Sequence, residues 1–340
     1  MNPTRREFLH RAVETGAAGA LVAAAVNQVA PRIAAAKETV VNDLIVDTHQ
    51  HLWDLDRLSL PWHKGAPEVL RRSYRPEDYA AATSGRNVRS VYMEVDVAEA
   101  DHDKEAEYVV GLSRAKSGAM RAAVIGGRPA SPQFGEYVKR HAASGLVKGV
   151  RQVLHNDDIP RGICLKDEFV RGVRLLGESG LSFDLCLRPT ELADGAKLAE
   201  LCPDTRFVVD HCGNADPKAF SERLAAAAPN EKPWHAVDVW KQDLAKLAAH
   251  KNTICKISGI IARAPKGWTA DDLAPIVNYC LDTFGPERVV FGGDWPVCLL
   301  GGPLMSWIEA LEKIIAGRPA AERTALLSGN AIRFYSLSLE

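Results

Sequence analysis

Long apolar runs, charge of one sign and paired cysteines are all scarce in this 340-residue chain. Thr15 to Val26 is uncharged, but it is short, rich in Ala, Gly and Val, and well under the roughly 20 apolar residues that span a bilayer. Net charge is −1, and nothing in the balance suggests a nucleic-acid or membrane surface. The seven cysteines (Cys164, Cys186, Cys202, Cys212, Cys255, Cys280 and Cys298) are odd in number and form no C-x-x-C pair. That argues against a disulfide frame or a zinc knuckle; in apolar runs, as at Cys186 and Cys255, they read as small buried hydrophobes. No G-x-G-x-x-G turn follows the first strand, which weighs against a doubly wound dinucleotide fold. What remains is ordinary globular composition, 46% hydrophobic and 25% charged.

The first 36 residues stand apart. Thr4-Arg5-Arg6-Glu7-Phe8-Leu9 carries an arginine pair, the weakly apolar run follows, and Ala34-Ala35-Ala36 offers a small-residue cleavage site before Lys37. In that order the three features resemble a twin-arginine export signal, against the plainer reading of an Ala-rich disordered tail. The expectation is a mature domain over 37–340, exported folded to the periplasm and keeping no stable membrane anchor.

The rest of the chain is organised around VDTHQHLWD, Val46 to Asp54. A short apolar run leads into His49 and His51, and residues two apart on a strand share a face. Two imidazoles from one strand end suit one metal ion or one substrate oxygen. Further apolar runs follow at βα-unit spacing: Val88–Val95, Met120–Gly126, Leu146–Leu154, Leu181–Leu187, Thr205–Asp210, Thr253–Ile257 and Arg288–Gly292. Amphipathic stretches separate them, including Asp103–Lys116, Asp167–Glu178, Glu191–Leu201, Trp240–Ala249, Ala270–Phe284 and Leu304–Ile315. Eight strands alternating with helices predict an α/β fold, a (β/α)8 TIM barrel. Long connections leave the first strand (Leu52–Asp78) and the sixth (Cys212–Val239), on the face where barrel enzymes build their sites.

Nearly every strand ends in polar residues. In order they are His49 and His51, Glu94 and Asp96, then Arg151, Gln152 and His155, with Arg188 after the fifth strand. Asp210 and His211 close the sixth, Lys256 and Ser258 the seventh, and Asp294, in FGGDWPVC, the eighth. A packed core has no need of that set. Singly, Glu94, Asp96, Asp210 and Arg188 each read equally well as structural ion pairs.

VDTHQHLWD, GVRQVL, FDLCLRP, FVVDHCGNAD, CKISGI, FGPERVVFGGDWPVC and GNAIRFY, in that order, resemble the amidohydrolase superfamily in its sugar-lactonase-like branch (amidohydrolase 2). The resemblance implies a hydrolase of small sugar lactones or muconolactones, with one divalent ion, zinc foremost, in some members and none in others. It implies that His49, His51, His211 and Asp294 surround the ion or the hydrolytic water, with Asp294 and His211 catalytic and Arg151 binding substrate. Many relatives have a histidine where Gln152 stands; His155 is three residues on. No strand-four lysine is placed to bridge two metals, since Lys148 comes too early.

The chemistry agrees. Opening an ester needs an activated water, a base for its proton and positive charge for the oxyanion. Asp294 is the candidate base; Arg151 and Lys256, with His155 and Glu94, are candidates for the substrate, although ion pairing of Arg151 and Lys256 with Glu94 or Asp210 explains them equally well. Two alternatives share these residues: a decarboxylase of an unsaturated or aromatic acid, and a non-catalytic barrel that binds a sugar acid. The expected partner is a small lactone or organic acid, not nucleic acid, and a homo-oligomer is left open. Replacing Arg5 and Arg6 together by Lys is expected to leave the precursor in the cytoplasm, read by fractionation; unchanged periplasmic accumulation would rule out the export signal.

Overall fold

The computed structural model describes residues 44–115 and 118–339, so the leader over 1–36 lies outside the described residues. Eight parallel strands are paired in chain order: β1 (Leu44–Gln50), β2 (Asn87–Met93), β3 (Met120–Gly126), β4 (Val147–Val153), β5 (Ser182–Cys186), β6 (Arg206–Val209), β7 (Thr253–Ile257) and β8 (Val289–Phe291). This is the expected (β/α)8 barrel. Between the strands and the surrounding helices lies one apolar layer, with Ile45, Tyr92, Phe183, Phe207, Ile257 and Phe291 contributed by the strands. A second, smaller core fills the barrel's lower lumen. Val46, Val91, Val124, Val208, Ile254 and Val290 meet there, and Ala331 and Tyr335 of the closing helix Asn330–Tyr335 plug the end. Several short helices escape the periodicity reading, Pro76–Ala82 and Phe134–Ala142 among them. With 7 and 9 residues these two are too short for an apolar stripe to repeat.

Among the described residues no helix is long and apolar enough to cross a membrane. All seven cysteines are free and buried, as small hydrophobes.

β1 does not alternate cleanly. Ile45 faces the outer layer and Val46 the lumen, so strict alternation would send His49 outward. Instead the pairing with β2 slips between Asp47 and Gln50. The cause is local: Asp47 Oδ1 accepts the His49 N–H at 2.9 Å, an i to i+2 loop that inserts a bulge. Beyond the bulge both His49 and His51 point to the lumen.

The same carboxylate closes the barrel. β8 and β1 share a single bridge, Gln50 to Trp295, and side chains do the remaining work. Gly293 N–H donates to Asp47 Oδ1 at 2.7 Å, Tyr79 Oη to Asp47 Oδ2 at 2.8 Å, and Thr48 Oγ1 to the Phe291 carbonyl at 2.7 Å. His51 N–H adds a bond to the Trp295 carbonyl at 2.7 Å. Asp47→Ala strands three donors in the interior and is expected to cost about 2–4 kcal/mol of stability, measured by urea unfolding. Asp47→Asn, which keeps an acceptor for both backbone N–H groups, is expected to lose less than half of that.

Candidate active site

Above the apolar plug the lumen becomes charged. Lys256 on β7 is fully buried, its Nζ 2.8 Å from Asp184 Oδ2 and 2.9 Å from Asp210 Oδ1. Asp210 Oδ2 lies 3.2 Å from Arg151 Nη1, and Arg151 Nε donates to Glu94 Oε1 at 2.6 Å. The Glu94 carbonyl takes a further bond from Arg151 Nη2 at 2.9 Å. Burial works against the Lys256 charge, but Asp184 and Asp210 more than offset it and its pKa is raised. The Asp210 carboxyl is likewise pushed up by burial and pulled well below its usual range by Lys256 and His49.

Three imidazoles stand on this floor. His49 Nε2, His51 Nε2 and His211 Nε2 lie 3.7, 3.4 and 4.0 Å from a single oxygen, Asp294 Oδ1. His51 Nδ1 is 2.9 Å from the Met93 carbonyl, which can only accept. Nδ1 therefore carries a proton, and Nε2 is the nitrogen turned toward Asp294. His211 Nδ1 is held by Ser258 Oγ at 2.9 Å. Burial, then the charge of Lys256, keeps His49 well below its usual pKa; burial also lowers His211. The Asp294 carboxyl is raised by burial but lowered further by His211, His51 and Arg151, so it stays ionised at neutral pH.

Backbone geometry makes this fit. His211 and Asp294 both have positive φ, 54° each. Gly259, at φ 70°, leaves room for the His211 ring, since a Cβ there would sit 2.2 Å from His211 Nδ1. A Cβ on Gly293 would meet Asp47 Oδ2 at 2.4 Å and one on Gly292 would meet His49 Cβ at 2.9 Å, so both glycines of the FGGDWP turn are required by close approach. The Asp294 side chain contacts these histidines and caps no helix; the short helix that follows has Pro296 at its cap position. Trp295 lies behind the site, packed on Tyr74 and Tyr79 at 5.1 and 5.3 Å, and fixes the turn without walling the cavity.

A cavity of about 520 Å³ opens over this group. His51, His211, Asp294, Arg151 and His155 line it. The loop after β1 adds Trp53, Trp62 and Leu70, and the loop after β6 adds Lys218, Glu231 and Trp234. Two of the expected substrate contacts do not reach it. Lys256 and Glu94 lie beneath the lining, with Lys256 held by Asp184 and Asp210 and Glu94 by Arg151, so the ion-pair reading holds for both. Gln152 is also outside the lining; His155, with Nδ1 3.1 Å from Cys186 Sγ and a pKa that burial and then Arg263 push down to about 3, is the β4 imidazole at the cavity.

Several residues that matter here were not marked by strand ends. Asp184 was legible as a lone acid inside the apolar run FDLCL. Asp47 had only its neighbour His49 to recommend it. Arg263 and Trp234 sit inside connections, where spacing gives no signal.

Imidazole nitrogens and a carboxylate oxygen are the donors a single zinc-like ion takes. The ligand atoms of His49, His51 and Asp294, and those of His49, Asp210 and His211, each lie within 4.8 Å of one another in buried sets. Arg151 Nη1, 3.3 Å from His49 Nε2, competes for that lone pair. His51 and Asp294 are free of such competition and form the first of these sets with His49, so the residues fit one ion there, with His211 Nε2 4.0 Å from the same Asp294 oxygen.

The fold and site are those of a metal-compatible barrel hydrolase. The chain belongs to the amidohydrolase family, whose model matches residues 46–337. It is 31% identical to an L-fucono-1,5-lactonase of Burkholderia multivorans over 302 residues, 86% of this chain and 96% of the relative. A zinc-bound amidohydrolase structure from Burkholderia multivorans is 26% identical, with TM-score 0.73, covering 87% of this chain and all of the other (100%). A 5-carboxyvanillate decarboxylase of Novosphingobium aromaticivorans, 12% identical with TM-score 0.61 over 88% and 97% of the two chains, shares the fold alone. A hydrolase displaces the non-catalytic barrel among the expectations. Lys256→Met leaves Asp184 buried without its cation and Asp210 with Arg151 alone, and is expected to cost about 3–5 kcal/mol, read as a lower thermal midpoint; a variant of native stability with weakened substrate binding would restore Lys256 to the substrate set.

Proposed function

We propose that this protein opens the ester of a small lactone, of the sugar-lactone or muconolactone type, by water that Asp294 activates. The observation carrying the reading is one ionised carboxylate oxygen surrounded by three imidazole nitrogens at the floor of the cavity. Asp294 Oδ1 accepts the proton of a water that attacks the lactone carbonyl. Arg151, at the cavity wall and held rigid by Glu94 and Asp210, supplies the fixed positive charge for the oxyanion. The protonated Asp294 then returns its proton to the departing alkoxide, and the hydroxy acid leaves. His51 and His211, oriented by the Met93 carbonyl and Ser258, set the direction of the water. A divalent ion held by His49, His51 and Asp294, with His211 beside them, would lower the pKa of a bound water toward 7. The zinc in the Burkholderia structure and the lactonase activity in the relative's name support this reading. The arginine pair at Arg5 and Arg6 supports a periplasmic site for the reaction within the same proposal.

The decarboxylase reading uses the same floor and is separated by assay. Turnover is measured across sugar lactones, a muconolactone and an aromatic acid, with metal content determined on the same preparation. Asp294→Asn is expected to lower kcat about 10²- to 10⁴-fold while leaving the thermal midpoint nearly unchanged. An Asn variant that keeps most of its turnover would overturn the role of Asp294.

A further inference from the structure

Beside the catalytic cavity lies a second chamber of about 450 Å³. The two share a wall of His155, Asn156, Trp234 and Arg263. Beyond that wall the side chamber is lined by Asp157, Arg188, Thr190 and Asn214, whose polar groups are interspersed with apolar surface that includes Pro189.

Trp234 is the unusual member. It is 56% exposed, although a large aromatic normally hides most of its surface. It does not hang free. Its backbone N–H donates to the buried Asp216 Oδ2 at 3.2 Å, and the next residue, His235, accepts the Asp216 N–H on Nε2 at 2.9 Å. The Arg263 guanidinium sits 4.5 Å from the Trp234 ring centroid, and Arg263 Nη2 is itself tied to Asn214 Oδ1 at 2.7 Å. Arg263 thus supports the indole by a cation–π contact and fixes its orientation. The result is an exposed indole braced by Arg263 at the junction of two chambers.

An exposed, braced indole beside carboxylate, guanidinium and hydroxyl groups matches one ligand class well. A pyranose ring has an apolar face of C–H groups that packs on an aromatic plane, and a rim of hydroxyls that needs hydrogen-bond partners. A flat aromatic group would satisfy the indole and leave the polar wall unpaired, at a cost.

We propose that the side chamber is a sugar-binding subsite, and that the substrate is a lactone carrying a second, glycosidically linked sugar ring. The lactone ring takes the floor at Asp294, and the attached sugar lies across Trp234 into the side chamber. Trp234 is then a specificity-determining residue. The proposal rests on the lactonase reading for its reaction and not for its binding.

The test separates the two. Binding of lactobionate, a two-ring aldonic acid, and of gluconate, its one-ring counterpart, is measured by calorimetry on the full mature enzyme. In parallel, turnover of cellobionolactone and glucono-1,5-lactone is compared. Lactobionate is expected to bind at least about ten-fold more tightly than gluconate, with the same preference in kcat/KM through KM. Trp234→Ala is expected to erase most of that ratio and Trp234→Phe to keep much of it. Equal affinity for the two acids, no binding of lactobionate, or a ratio unchanged in Trp234→Ala overturns the subsite. If neither lactone is hydrolysed while the affinity ratio and its loss are seen, the subsite stands and the lactonase reading falls.

Discussion

One buried carboxylate holds the two ends of the barrel together. Asp47 Oδ1 accepts from His49 N–H and Gly293 N–H, at 2.9 and 2.7 Å, one donor on the first strand and one just past the last. The bulge that turns His49 inward and the turn that presents Asp294 therefore share an anchor atom. Neither the histidine pair nor the aspartate is placed by strand geometry alone. β8 and β1 meet in a single bridge, so side-chain acceptors supply what a regular ladder would have given.

The charged floor follows from that placement. Arg151, Glu94, Asp210, Lys256 and Asp184 are each paired, which is the condition for keeping ions inside a protein. Their return is electrostatic and geometric. Arg151 is clamped by two carboxylates, so it faces the cavity without searching rotamers, and its charge helps keep Asp294 ionised beneath a low-dielectric wall. The apolar plug of valines below keeps water from reaching these ions from the other end.

Much of this was legible from the chain. Short Val-, Ile- and Phe-rich runs at βα spacing gave all eight strands to within two residues at their ends from β2 onward, because strands covered on both faces have little freedom in composition. His49, His51, His211 and Asp294 were marked by position at strand ends, and the barrel brings them together. What failed was depth. Lys256 looks like a strand-end cation in the sequence, yet it points into the lumen one layer below the cavity, and nothing in the spacing distinguishes the two heights. Glu94 fails for the same reason. The bulge in β1 was hidden because Asp47 acts through a single side-chain bond, and Trp234 and Arg263 because loops have no period to read.

The division between strands and loops also bears on how such proteins diverge. The floor belongs to strand ends and is fastened by bonds within the barrel. Much of the wall comes from two insertions that close on themselves at their own bases, Trp53 pairing with Tyr74 by backbone bonds of 2.9 and 2.8 Å, and Asp216 with Trp234 and His235. Each insertion can be exchanged, lengthened or re-lined with little disturbance to the carboxylate and imidazoles below. Descent with a constant chemistry and a drifting substrate is what such an arrangement permits. Two homologues with the same floor are then no guide to each other's substrates unless their walls also agree.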